Sequence, residues 1–385
     1  MPLITDTTAL ETFISGLRSA KYVTIDTEFI RDTTYWPKLC LVQLAAAAGA
    51  RAVDPLAPGI DLTPLYDLLF DPRVLKVFHA CRQDMEIVYH ATGRLPTPIF
   101  DTQVAAMVCG YGEAASYETL VKQIVGARLD KSARFTDWSR RPLSERQIEY
   151  ALGDVTHLRV IYEHLAERLA HSGREGWVAE EMAILTDPAT YRLDPGEAWK
   201  RIKTRSSSPT LLARLKVLAE WREKEAQERD LPRNRIVRDE VLLEIAAHPP
   251  ETPSALSQVR GLSKGFEASR LGKGLWQAIE RARAAPIEAV PDRTKRGRPR
   301  TTPPPVAELL KVLLRIRCRE AGVAARLVAS SADIDRLAVD SKADVKALTG
   351  WRYELFGRDA LALKAGQIAL TADGKGEVEI VEIED

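Results

Sequence analysis

Val23-Thr24-Ile25-Asp26-Thr27-Glu28-Phe29 carries two carboxylates two residues apart, where a strand with this apolar start would be expected to stay apolar. Alternate side chains of an extended chain share a face, so Asp26 and Glu28 point the same way. Two carboxylates on one face repel unless a cation lies between them. Outward from this stretch the pattern is that of an α/β unit. β-rich runs are predicted at residues 22–25, 39–45, 50–53, 74–79 and 98–100. Helical patterns are predicted at 62–70, 83–91, 102–109 and 117–125, with a long one at 144–171. Strands that come first and then mix with helices favour a mixed sheet flanked by helices over a barrel.

Two more segments place acids where packing would be expected. Val77-Phe78-His79-Ala80-Cys81-Arg82-Gln83-Asp84 leaves a buried-looking strand and opens a helix, with Asp84 in its first turn. A negative charge there also complements the helix dipole, so capping is the alternative role. Ser144-Glu145-Arg146-Gln147 reads as a capping box and starts the long helix, on which Tyr150 and Asp154 stack at i, i+4.

These three motifs, on strand, helix start and helix, resemble those of the DEDD exonuclease superfamily, which has a ribonuclease H-like fold. The Tyr-x-x-x-Asp form of the last motif marks its tyrosine branch; the other branch would need His at position 149, which is Glu149. Asp26-Thr27-Glu28-Phe29, Thr34-Tyr35-Trp36-Pro37, Leu41-Val42-Gln43, Leu129-Asp130-Lys131-Ser132 and Asp137-Trp138 through Arg141-Pro142-Leu143 resemble the bacterial ribonuclease D family. The resemblance covers roughly residues 3–200 and implies that Asp26, Glu28, Asp84 and Asp154 hold two divalent cations, Mg²⁺ or Mn²⁺, with Tyr150 in the place of the general base. Four carboxylates suffice to share two such hard cations. A phenol of ordinary pKa is a poor base, so orienting the attacking water is the role assigned to Tyr150. Phe29 and Tyr35, with Trp36 beside it, are candidates to stack terminal bases, and His79 to touch substrate. Lys131 and Arg141 are candidate phosphate contacts because they match the family pattern, with Arg134 and Arg140 nearby.

The 385 residues suggest two to three domains. Residues 1–200 form the expected exonuclease domain. Ser206-Ser207-Ser208-Pro209 is a linker and helix start, and residues 206–288 are all helical in pattern and resemble an HRDC domain, a nucleic-acid-binding module. Residues 289–305 are a basic, Pro-rich linker, and 306–385 repeat the helical style as a second, diverged HRDC-like domain. Within the linker, residues 295–300 (KRGRPR) are similar to an AT-hook core, but a basic Pro-rich linker that adds loose phosphate affinity needs no such specificity and is the favoured reading. Net charge is +1, but residues 1–200 hold 21 basic against 27 acidic side chains and residues 201–300 hold 22 against 13. Cation chemistry is thus expected in the first part and attraction of a polyanion in the second.

The longest uncharged stretch near the N-terminus, 39–50, is too short to span a bilayer, and no secretory signal opens the chain. Cys40, Cys81, Cys109 and Cys318 are too widely spaced for a zinc or redox motif. A cytoplasmic setting with no membrane contact and no obligate protein partner is expected. The function implied is a 3′-to-5′ exoribonuclease that releases 5′-mononucleotides from RNA with a single-stranded 3′ end, tRNA precursors first among them. The alternatives are a single-strand DNA exonuclease and a catalytically inactive RNA-binding scaffold.

Overall fold

The first acidic motif lies inside a strand, not at its end: β2 spans Tyr22–Ile30, and its inner half, Val23 to Ile25, is buried. In this computed structural model, which describes residues 2–130, 132–286 and 304–383, β2 is central in a six-stranded sheet of order β1-β4-β3-β2-β5-β6. The other strands are β1 (Leu3–Ile4), β3 (Lys38–Ala46), β4 (Gly49–Val53), β5 (Leu75–Phe78) and β6 (Ile99–Asp101). β2, β5 and β6 pair in parallel and β3 pairs antiparallel with β4, so the sheet is mixed, as expected. Parallel neighbours need crossovers, and the helices supply them.

The helices of this part are α1 (Thr7–Leu17), α2 (Thr63–Leu69), α3 (Arg82–Thr92), α4 (Thr102–Val108), α5 (Tyr117–Leu120), α6 (Glu145–Ser172) and α7 (Glu175–Leu185). α1 and α7 were not expected. Ser144 opens α6 with the capping box: its Oγ accepts from Gln147 N at 3.3 Å, and Gln147 Oε1 accepts from Ser144 N at 3.0 Å. Gly173 closes α6 in the left-handed conformation, which favours glycine.

Two compact units emerge, and they do not follow the boundary expected at residue 200. One comprises Met1–Glu28, Cys40–Thr190 and Arg298–Asp385; the other comprises Phe29–Leu39 and Tyr191–Gly297. The reason is hydrophobic. Tyr35, Ala198, Trp199 and Ile202 are buried in one core with Leu212, Leu215 and Leu218 of α8 (Pro209–Glu228). The same core takes in α9 (Arg233–Ile236), α10 (Asp239–Ala247) and α11 (Arg270–Arg283).

The C-terminal segment, in the first unit, is docked on the exonuclease residues. Trp351 stacks on Trp177, rings 4.2 Å apart and 8° from parallel. Arg352 is buried between Glu180 and Glu181 and donates to Leu327 O at 2.7 Å. Gly110 allows a close approach, since a Cβ there would stand 2.8 Å from Gly322 O. This segment is not all helical, a correction to the expected pair of all-α domains. After helix Arg358–Lys364 it ends in an antiparallel hairpin of β7 (Ile368–Ala372) and β8 (Val378–Glu382). Gly374 and Gly376, both at positive φ, make the turn that two alternating runs need. Residues 295–300 lie outside the described residues. Among the described residues no helix is long and apolar enough to cross a membrane.

Candidate active site

Three elements bring the acids together. β2 contributes Asp26 and Glu28 from one face, and α6 contributes Asp154. One ligand atom from each of these three carboxylates lies within 4.8 Å of the others. Asp84 stands apart from that trio in the first turn of α3. Its charge lies in the first turn of α3, where it complements the helix dipole as the alternative role has it; Asp84 is also buried, and its Oδ1 accepts the Thr27 hydroxyl.

The turn that aims Asp84 is built by another acid. Ala80 takes a left-handed conformation, φ 57°, which a residue with a Cβ rarely adopts. Asp101 holds it there: its two carboxylate oxygens accept from Ala80 N at 3.0 Å and Cys81 N at 2.8 Å. Oδ1 also accepts from Gln103 N at 2.8 Å, capping α4. Asp101 therefore braces the second motif and caps a helix at once.

A cavity of about 190 Å³ opens at the acids, lined in part by Asp26, His79, Tyr117, Arg134, Tyr150 and Asp154. Burial drives every acid upward, and repulsion from neighbouring acids adds to it for Glu28, Asp84 and Asp154. Glu28 is pushed up to about 9 by burial and by the charges of Asp26, Asp154 and Asp84, with Arg134 opposing. Burial raises Asp26, and burial with the charge of Asp26 raises Asp84 and Asp154. Tyr150 donates to Asp154, and burial with the nearby carboxylates lifts its phenol well above the ordinary value. Among the described residues, four carboxylates faced by the Arg134 guanidinium are an arrangement that needs additional positive charge. The donors are all hard oxygens, which suits divalent cations of the magnesium type. The residues therefore fit the cations the sequence implies.

His79 Nδ1 lies 3.0 Å from Thr102 Oγ1, which itself donates to Phe78 O. Because the hydroxyl proton is spent, the imidazole donates from Nδ1, and Nε2 is left as an acceptor on the cavity wall. Burial holds the His79 pKa below its ordinary value, so the ring is neutral. Tyr117 escaped the sequence reading. Its hydroxyl donates to the carbonyl oxygens of Asp154, at 2.6 Å, and Gly153, at 3.2 Å, and so fixes the turn of α6 that presents Asp154. Nothing in a lone Tyr near a helix start signals this.

The structure corrects two of the residues expected to touch substrate. Tyr35 is buried, 4% exposed, in the core of the second unit, where its hydroxyl donates to Glu223 and its ring lies under Arg233. It is a packing anchor, not a base-stacking platform. Arg141 spends all five N–H donors within the protein. Nε and Nη2 clamp Asp54 at 2.6 Å each, Nη2 also reaches Cys40 O, and Nη1 reaches Trp138 O and Arg140 O. No donor remains for a phosphate, so Arg141 ties its loop to the sheet. Phe29 lies half-buried on β2. Lys131 lies outside the described residues. An aromatic the sequence reading passed over, Phe135, is 90% exposed beside Arg134.

This fold with this acidic cavity defines a metal-dependent 3′-5′ exonuclease, and residues 1–170 match the 3′-5′ exonuclease family. Residues 212–279 match the HRDC domain. The chain is 51% identical to ribonuclease D of Granulibacter bethesdensis, over 97% of this chain and 95% of that protein. It is 50% identical to ribonuclease D of Nitrobacter hamburgensis, over 99% and 100%. Among solved structures it resembles Escherichia coli RNase D, an exoribonuclease involved in structured RNA processing, with TM-score 0.79, 32% identity and coverage of 94% of this chain and 98% of that one. The chain belongs to the ribonuclease D family, and its activity is that of a 3′-5′ exoribonuclease.

Proposed function

We propose that this enzyme shortens RNA from a single-stranded 3′ end, one nucleotide at a time, releasing 5′-mononucleotides, and that tRNA precursors carrying 3′ extensions are its substrates. The observation that carries the reading is the convergence of Asp26, Glu28 and Asp154 with Tyr150 on one cavity. Asp26, Glu28, Asp84 and Asp154 would hold two Mg²⁺ or Mn²⁺ ions. Support for two comes from the division of the acids, with Asp84 outside the trio yet raised by the charge of Asp26. When bound, the cations neutralise the charge of the scissile phosphate and of the departing 3′-oxygen.

The chain's own groups do the positioning. The Tyr150 hydroxyl spends its one proton on Asp154, so its oxygen is left to accept a hydrogen bond from the attacking water and orient it. His79 Nε2 accepts a hydroxyl of the terminal ribose. Arg134 draws the phosphate into the cavity. Phe135, exposed beside it, stacks a base of the incoming strand, a contact worth about 1–3 kcal/mol. Phe29 remains a second candidate for stacking. A cytoplasmic setting, expected from the sequence, belongs to the same proposal.

The deciding assay incubates 3′-tailed tRNA with the purified protein, with and without chelator, beside a single-stranded DNA of the same sequence. Mononucleotides released from the RNA, and none with chelator, are the expected result. Internal fragments would overturn the exonucleolytic reading, and faster cleavage of the DNA would overturn the RNA reading.

A further inference from the structure

The C-terminal segment meets the exonuclease residues at the two helices that flank Asp101. On one side, Ala324 N donates to Met107 O at 2.9 Å, near the end of α4, whose start Asp101 caps. On the other, Trp351 stacks on Trp177 of α7, and Arg352 donates to Glu180 at 3.0 Å and to Glu181. Arg352 is 4% exposed, and its Nε donates to Leu327 O, so the guanidinium ties the interior of the segment to α7. Glu180 and Glu181 directly precede Met182. Met182 in turn meets the brace of the second motif. The buried Asp101 N–H finds its acceptor outside the sheet, in Met182 Sδ at 3.2 Å. The carboxylate of the same Asp101 holds Ala80 N and Cys81 N, and with them the turn that opens α3 and presents Asp84.

α7 needs an outside hold to keep Met182 in place. A helix of its 11 residues is marginal on its own. Only Val178 and Met182 of α7 are buried, and its N-terminus has no side-chain cap. A cavity of about 480 Å³ opens between α7 and the sheet, lined in part by Ile99, Phe100, Val178 and Met182, so packing from that side is incomplete. Trp177, Glu180 and Glu181 share another face of the helix, at i, i+3 and i+4. That face is the one Trp351 and Arg352 hold.

We propose that the C-terminal segment is a positioning element for the reaction: Arg352, through α7, and Met182, through Asp101, set the turn that aims Asp84. A buried N–H that loses its acceptor is unfavourable, so a shift of Met182 draws Asp101 with it, and the Ala80–Cys81 turn follows. A misplacement of about 1 Å, caused far from the chemistry, can cost on the order of a hundredfold in rate. The proposal rests on Asp84 serving the reaction, as argued above. A segment that instead grips RNA, as its HRDC-like pattern would suggest, is an outcome the test separates.

Full-length Met182→Leu and Arg352→Gln are compared with the parent and with Asp84→Asn. Met182→Leu keeps the volume and loses the sulfur acceptor, a change that folding tolerates, so it carries the test should Arg352→Gln unfold. Steady-state kinetics on a short single-stranded RNA with Mg²⁺ are read beside hydrogen exchange by mass spectrometry in chelator, and melting temperatures check that each variant is folded. kcat is expected to fall about threefold to tenfold in Met182→Leu and about tenfold or more in Arg352→Gln, with KM little changed. Without metal, exchange over residues 79–86 is expected to rise about fivefold or more in both variants, while residues 22–28 keep the parent's rate. A merely structural segment would lower the melting temperature of Arg352→Gln and leave Met182→Leu with the parent's kcat and exchange, and that result overturns the inference. So does an unchanged kcat with a raised KM and weaker RNA binding in chelator, because the segment would then be gripping RNA. If Asp84→Asn keeps full kcat, the proposed role of Asp84 falls and this inference with it; if Asp84→Asn is inactive while both other variants match the parent in kcat and exchange, this inference alone falls.

Discussion

Replacing one of the clustered acids is expected to stabilise this protein when no metal is present. Glu28 is the clearest case: burial and three neighbouring acids raise it from 4.5 to about 9. Between those limits the folded protein holds a proton at Glu28 that the unfolded chain has lost. Stability from this group is therefore fully present below pH 4.5 and is lost as pH rises toward 9. The slope is about 1.4 kcal/mol per pH unit, so at pH 7 the loss reaches about 3 kcal/mol. Gln keeps the shape of Glu28 and cannot ionise. In chelator at pH 7, Glu28→Gln is expected to be more stable than the parent by about 3 kcal/mol, or roughly 4 °C in melting temperature for a chain of this length. The assay is thermal melting by circular dichroism between about pH 7 and 8.5, a window above the titration of His79, which burial holds low. The parent should lose stability across the window, and the variant should lose less. A hundredfold excess of Mg²⁺ over its dissociation constant should restore about 2.7 kcal/mol to the parent and less to the variant, closing the gap. Equal melting of the two metal-free proteins throughout the window would refute the reasoning, because the acids would then not be repelling one another in a buried site.

Three further outcomes are expected. Asp26→Asn removes one of the three converging carboxylates, and kcat on single-stranded RNA should fall by about 10³-fold or more, while RNA binding in chelator survives; full activity would end the proposed assignment. Phe135→Ala removes the exposed aromatic beside Arg134, and KM should rise between about fivefold and a hundredfold with kcat little changed, as steady-state kinetics on a short RNA would show. Arg141→Ala leaves the buried Asp54 carboxylate without its partner and should cost about 3–5 kcal/mol of stability in urea unfolding. A surface phosphate contact would cost almost none.

The acids were legible because chemistry and periodicity coincide in them. A period of two puts Asp26 and Glu28 on one strand face, and a capping box sets the start of the helix on which Tyr150 and Asp154 stack, so local rules suffice to orient each motif. The same local logic found most of the strands and the long helix. It missed α1, α7 and the terminal hairpin, short elements stabilised by what they pack against more than by their own pattern.

What the sequence by itself determined is the set of acids that converge with Tyr150 and the elements that carry them, because residue type and spacing decide local geometry. Tertiary structure alone decided which cations and aromatics are free to meet a strand. Arg141 is spent on Asp54 through a contact 87 residues away, and Tyr35 on Glu223 through one 188 residues away. Asp101 and Tyr117 acquire their bracing roles only when β6 and α5 are brought beside the second and third motifs. Whether a polar side chain faces solvent or is consumed inside depends on partners distant along the chain, and the packing of the whole chain decides those partners.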